Sequence, residues 1–376
     1  MNVPKIRFNG FEEEWQENKL CDIARITMGQ SPNSENYTND SNDTLLIQGN
    51  ADLNNGKVIP RLFTKQVTKT CDKNDIIMTV RAPVGDIAIS DYNACIGRGV
   101  CSIKSSKFVY HYLDYLKMKD YWKKISKGST IDSITSDDIK SLLIKTPNKK
   151  EEKKIIKTID LINKKIELQS KKIEDLKLFK KGLINHIIKN IEIEKIPLKN
   201  ILVEQNNKTS KNNEYEILSS TSKGLYLQKD YFNKQAASDN NVGYKILKKN
   251  QLVLSPQNLW MGNINVNTEY NIGIVSPSYK IFNISNNVNI DFFNYWIKSP
   301  KALFEYKISS EQGASIVRRN LNMDLFYEII VDLPRGKLQN KVGKIIKLLN
   351  LNIQYNEFLL QKLLELKKGL MQNMFV

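Results

Sequence analysis

The sequence predicts an α/β (α+β) chain of two tandem globular domains separated by a pair of long antiparallel coiled-coil helices, arranged as a pseudo-twofold internal repeat. Three observations predict it. The second half of the chain restates the first, each copy carries an apolar seam of 3.5-residue period, and positive charge gathers on those same two segments.

Placing Pro147 on Pro334 sets an offset of 187 in a chain of 376 residues. Ile155 then meets Val342, Ile159 meets Ile346, Ile162 meets Leu349 and Ile166 meets Ile353, while KKGL at 180–183 meets KKGL at 367–370. Upstream, KGSTI at 127–131 corresponds to QGASI at 312–316. A unit used twice has to be recognised before any fold is assigned.

Within each copy the seam steps by four and three residues. It runs through Ile155, Ile159, Ile162, Ile166, Gln169, Ile173, Leu176, Lys180, Leu183 and Ile187, and through Val342, Ile346, Leu349, Ile353, Asn356, Leu360, Leu363, Lys367, Leu370 and Met374. Even its polar interruptions coincide, Gln169 with Asn356 and Lys180 with Lys367. Ordinary amphipathic core helices do not hold so strict a stripe. The seam spans about 33 residues, hence roughly 50 Å at 1.5 Å per residue. The second helix must bury its stripe against the first and so runs back along it. This expectation puts the two unique domains at opposite ends, with Gln169 and Asn356 near the middle as a register-setting polar layer.

The domain boundaries expected on this basis are 1–146 and 191–333 for the globular arms, with helices at 147–190 and 334–376. Strand-like runs lie at 43–48, 74–80, 85–90, 251–255 and 271–276, punctuated by Gly, Asn and Pro. Helical patterns occupy 108–126 and 290–308, each just ahead of its glycine–hydroxyl loop.

The formal net charge of +17 points to a polyanionic partner, nucleic acid first. A lysine-rich, well-solvated chain would carry the same total, but the distribution is more telling. Residues 145–190 hold 14 basic against 6 acidic side chains, and 334–376 hold 8 against 2. No apolar run nears the roughly 18 residues of a membrane span, and the N-terminal stretch has no signal-like segment. Cys21, Cys71, Cys95 and Cys101 contain no C-x-x-C pair, so they read as free or buried thiols in a cytoplasmic setting.

Catalytic chemistry is thin. His111 and His186, the only histidines, lie 75 residues apart on predicted helices and read as core or solvated side chains. There is no phosphate-binding G-x-x-x-x-G-K-[ST] and no N-P-P-[YF] base-holding tetrapeptide. Asp291, Glu305 and Lys307 can be assembled into a nuclease-like D…E-x-K, a chance match in a chain this charged. The sequence therefore points to a binding role with no catalytic residue, no metal and no cofactor on this chain.

Residues suited to DNA cluster in loops. Arg81 in MTVRAPVGDIAI (78–89) and Arg98 in ACIGRGVCSI (94–103) sit beside glycine at strand ends, where a guanidinium fork can meet a guanine edge or a phosphate. They could instead bridge strands or pair with Asp86 or Asp91. Lys127, Ser129 and Thr130 form a loop suited to phosphate. Its counterpart, with Ser315, precedes Arg318 and Arg319, read as an exposed arginine pair. Ser220 and Lys223 in SSTSKG, and Gln257 and Asn258 in SPQNLWMG, complete the set, with Gln and Asn suited to adenine. Plain turns are the alternative for the Ser/Thr/Gly clusters.

Taken together, the chain resembles the specificity subunits of type I restriction–modification systems. The resemblance rests on the duplicated layout and on P-x-x-x-[EL]-Q-x-x-[IV] opening each helix, here PNKKEEKKI (147–155) and PRGKLQNKV (334–342). Glu152 stands where that pattern has glutamine, and Gln339 keeps it. KKGL, GNADLNNGKV (49–58) and YKILKKNQLVLSPQNLWMGNI (244–264) are similarly typical. The resemblance implies target-recognition domains that each read half of a split, asymmetric site in double-stranded DNA. It implies helices that dock two methyltransferase subunits, a motor–nuclease subunit joining for restriction, and S-adenosylmethionine bound by the methyltransferase rather than by this chain. Rival readings are a solitary nuclease or methyltransferase, and a basic coiled-coil adaptor that binds protein alone.

Overall fold

A computed structural model of the chain describes residues 3–125, 133–231, 240–312 and 318–376. Two compact units divide it, one of Met1–Lys171 with Phe358–Val376 and the other of Lys172–Glu357. The two long helices, Lys149–Lys189 and Lys337–Met374, each contribute a segment to both units. They run to 41 and 38 residues, within the bounds expected at 147–190 and 334–376, the first extending beyond its seam at both ends and the second only at its start. Asn148 starts the first: its side-chain oxygen accepts from the N–H groups of Lys150 and Glu151 at 3.1 and 3.0 Å. Every seam position from Ile155 to Ile187 and from Val342 to Met374 is buried or half-buried, the polar ones included.

In the first unit a six-stranded sheet runs in the order Arg25–Met28, Val100–Lys104, Ile76–Thr79, Ile87–Ile89, Lys57–Val58, Leu53–Asn54. Five shorter strands form a second sheet, in which Ala94–Ile96 lies parallel to Thr44–Ile47. Helix Lys107–Met118 packs Phe108, Tyr112 and Leu113 into a core shared with Trp15, Ile155, Ile159, Met371, Met374 and Phe375. The early part of one long helix thus meets the late part of the other, as an antiparallel pair requires.

The second unit repeats the plan. Strands Leu202–Gln205, Lys280–Ile284, Leu252–Leu254 and Ile264–Val266 form its main sheet. Its core joins Phe282, Phe292, Phe293, Tyr306 and Phe326 to Ile184, Val342 and Ile346. In each unit an opening strand pairs antiparallel with the strand that leads into a long helix, Gln16–Lys19 with Leu143–Thr146 and Ile193–Pro197 with Ile330–Pro334. The two helical patterns each resolve into two helices. Asp120, at φ +53°, separates Lys107–Met118 from Tyr121–Ile125, and Ser299 caps a fresh helix with Pro300 in its first turn.

Candidate nucleic-acid interface

Each unit raises one hairpin whose tip is pinned from several sides. In the first, strands Ile76–Thr79 and Ile87–Ile89 carry the tip 80–86. Thr79 braces it, its hydroxyl donating to the Pro83 carbonyl at 2.7 Å and accepting from Asp86 N at 2.9 Å. Gly85 turns the chain at φ +85°, and a Cβ there would lie 2.3 Å from the Trp122 ring, so only glycine fits. Val80 donates to the Gly99 carbonyl at 2.9 Å and accepts from Ile134 N at 3.0 Å, while Arg81 bridges to Ser133.

These bonds bring Arg81 to the loop that holds Arg98 and to the chain directly after residues 126–132. The Arg98 loop is fixed by backbone contact: a Cβ on Gly99 would stand 2.1 Å from the Gln48 carbonyl, and Arg98 N donates to Ser31 Oγ at 3.0 Å. Both arginine side chains are exposed. Asp86, weighed in the sequence as their partner, is instead taken by Lys117 and by the Asn50 amide. Lys127, Ser129 and Thr130 lie outside the described residues, as does Ser315.

The second unit builds its tip, 255–263, on strands Leu252–Leu254 and Ile264–Val266. Leu259 is fully buried beneath it, and Gly262 closes the turn at φ +85° against Leu303. Gln257 is exposed and Asn258 half-buried. The Gln257 carbonyl accepts from Arg319 N at 3.1 Å, the counterpart of the Arg81 bridge. Lys223 is exposed on the neighbouring turn, Thr221–Gly224, whose N–H groups at 223 and 224 bond Thr221 Oγ1.

Two expectations change on this geometry. The arginine pair is not a free loop, since Arg319 opens strand Arg319–Leu321. Its Nε and Nη2 donate to the Ser310 carbonyl at 3.2 and 2.6 Å, and its guanidinium sits 6.0 Å from the Trp260 ring. Arg319 therefore organises the tip from inside, while Arg318 remains exposed. Ser220 is 4% exposed; its hydroxyl donates to Asn263 Oδ1 and accepts from Asn265 Nδ2, both at 2.7 Å. A saturated, buried hydroxyl braces the two hairpins instead of facing outward.

Sequence reasoning missed these braces. The run Asn263, Asn265, Asn267 alternates with Ile264 and Val266, which in a strand puts three amides on one face, and all three are buried. That period was the available signal. Lys298, Lys117 and Asn50 offered none.

The remaining chemistry is quiet. His111 is buried against Asp160, 3.0 Å from its carboxylate, and burial holds it down to about 4; His186 is exposed. Burial pushes the Cys101 thiol up to about 12. Asp291 faces Lys347 at 4.0 Å from the second long helix, on a different helix from Glu305 and Lys307. No helix among the described residues is long and apolar enough to cross a membrane.

Residues 12–178 match the type I restriction modification DNA specificity domain. A protein of Methanocaldococcus jannaschii described as a type I restriction enzyme MjaX specificity subunit is 35% identical over 184 residues, covering 47% of this chain and 43% of that one. The chain thus spans under half the length of that curated relative. Over 100% of this chain and 99% of its own, the crystal structure of the type I restriction-modification S subunit from M. genitalium superposes with a TM-score of 0.63 at 18% identity. A chain from a structure of type I R-M complex assembly and conformational transition matches at TM-score 0.56 and 12% identity over 97% of this chain and 98% of its own. Residues 12–178 are thus similar to the type I restriction modification DNA specificity domain, and the chain as a whole has the fold of a type I restriction-modification S subunit.

Proposed function

We propose that the chain is the non-catalytic specificity subunit of a cytoplasmic type I restriction–modification complex, each arm reading one half of a bipartite, asymmetric site in double-stranded DNA. The observation that carries this reading is the shared constellation: in each unit a pinned hairpin tip lies against the chain that follows the glycine–hydroxyl loop. The residues presented differ, exposed Arg81 and Arg98 in one, and exposed Gln257, Lys223 and Arg318 with half-buried Asn258 in the other. Arginine forks suit guanine edges and phosphates, and amides suit adenine. One frame bearing two chemistries fits two unlike half-sites.

The helices support two copies of one partner. Leu161 and Leu348 are 56% and 57% exposed, Leu168 and Tyr355 are 54% and 61%, Phe179 and Leu366 are 57% and 51%. Each pair is related by the 187-residue offset of the repeat. Exposed apolar side chains in matching places mark matching contact surfaces, which fits two methyltransferase subunits, with a motor–nuclease subunit joining for restriction. S-adenosylmethionine then belongs to the methyltransferase.

The test is expression of the chain with a candidate methyltransferase, followed by long-read mapping of modified bases. The expected outcome is one split motif that disappears when this chain is omitted. Methyl transfer by the purified chain alone would overturn the assignment.

A further inference from the structure

We propose that Lys298 is a positioning residue for the second arm's half-site, fastening the turn that carries Lys223 to the hairpin tip that carries Gln257 and Asn258. The inference rests on the reading above that this face meets DNA. Lys298 Nζ donates to the Gly262 carbonyl at 2.7 Å and to the Ser222 carbonyl at 3.1 Å. Those carbonyls belong to the ends of separate hairpins, Leu218–Thr221 with Gly224–Leu227 and Leu252–Leu254 with Ile264–Val266. The ammonium therefore ties the outer ends of two loops whose bases are braced by Ser220, Asn263 and Asn265.

The base from which it reaches is rigid. Lys298 stands in the short link between helices Ile290–Trp296 and Pro300–Ile308. Ile297 beside it is fully buried, its carbonyl accepting from the Tyr306 hydroxyl at 3.3 Å, and Ser299 Oγ accepts from Ala302 N at 3.2 Å. A charged group anchored this way holds its acceptors to a narrow range of positions. The position is also costly, because burial lowers the Lys298 amine to about 8. A neutral side chain would avoid that cost, so the cation's contribution lies in the two carbonyls it gathers. The first unit reaches the same end separately: Lys117, on helix Lys107–Met118, pairs with Asp86 of its tip, and Asp86 accepts from Asn50 of the neighbouring loop.

The experiment uses the full chain assembled with its methyltransferase. Duplexes carry the split motif found by mapping modified bases in genomic DNA, or that motif with one base changed in either half. Lys298→Met should lower discrimination against a changed base in the second arm's half by about tenfold, the scale of losing one charge-assisted hydrogen bond, and leave the other half untouched. Lys298→Arg, whose fork can span both carbonyls, should restore most of the loss. Unchanged discrimination in Lys298→Met overturns the proposal, and so does an equal loss in both halves. Should the methionine variant lose its second-arm melting transition, the arginine variant decides: retained discrimination supports the fastening, and failure equal to methionine's overturns it. A wild-type assembly without preference in either half would overturn the DNA reading itself, and the role of Lys298 with it.

Discussion

The two arms reach the same frame by different fastenings. In the first, the hairpin tip is held by a carboxylate, Asp86, shared between Lys117 and Asn50. In the second the work falls to backbone carbonyls held by Lys298 and to a buried lattice of Ser220, Asn263 and Asn265. Both tips turn on a glycine at φ +85° packed against a helix side chain, Trp122 or Leu303. What is shared is backbone geometry, and what differs is the polar chemistry that steadies it and the side chains it presents. The side chains presented can therefore diverge arm by arm without touching the frame.

The strongest test of that independence is exchange of residues 1–146 for the same arm of a relative. One half of the methylated motif should change completely and the other should persist. A change in both halves would show that the arms are read together.

Next in size is the core beneath each tip. Ile159 is 1% exposed among Trp15, Phe108 and Phe375, and Ile346 is fully buried beside Phe292 and Phe293. Alanine at either should cost about 2–5 kcal/mol. Denaturant melting with a fluorescence probe in each arm should locate the larger loss in the arm that holds the residue.

The arms should also differ in acid. His111 belongs to the first unit and its folded value, about 4, lies below the ordinary 6.5. Between those limits the unfolded chain takes up a proton that the folded chain refuses, so stability falls as pH drops from 6.5 toward 4. Near pH 5 the loss should be about 2 kcal/mol relative to neutrality. His111→Gln should flatten that slope in urea titrations at pH 7 and pH 5. An unchanged slope would place the acid sensitivity elsewhere.

Smaller effects come from the tips themselves. Arg81→Ala should weaken the first half-site by about 1–3 kcal/mol if its fork meets a base, and Gln257→Ala should do so only at the second. Competition with singly mismatched duplexes separates the two. Last, inserting four residues after Lys172 adds about 6 Å of helix, so the motif's spacer should lengthen by one or two base pairs. An active variant with its original spacer would show that the helices dock partners without measuring DNA.

The repeat and both long helices were legible because a seam of fixed period over tens of residues leaves few alternatives. Strand positions were legible where apolar runs are bounded by glycine and asparagine, as at 43–48 and 251–255. The convergence of Arg81 with Arg98, and of Gln257 with Arg319, was not. It depends on backbone bonds between segments far apart in sequence, Val80 to Gly99 and Arg319 to Gln257. For the same reason Ser220 looked like a surface turn until the asparagines opposite it were placed, and Lys298 looked like one lysine among many.

The first compact unit is not continuous in the chain, and this bears on how it is made. Ile6 N donates to the Asn373 carbonyl at 2.9 Å, and Met371, Met374 and Phe375 lie in the same core as Trp15 and Phe108. A nascent chain on the ribosome therefore cannot close its first arm when Lys171 emerges. Its core is completed only when Phe358–Val376 has been synthesised and Phe375 can join Phe108, Tyr112 and Tyr115. The second unit, Lys172–Glu357, is contiguous and can finish before the first. Premature termination late in translation would then strike the earliest-made arm, leaving a product whose defect lies far from the missing codons.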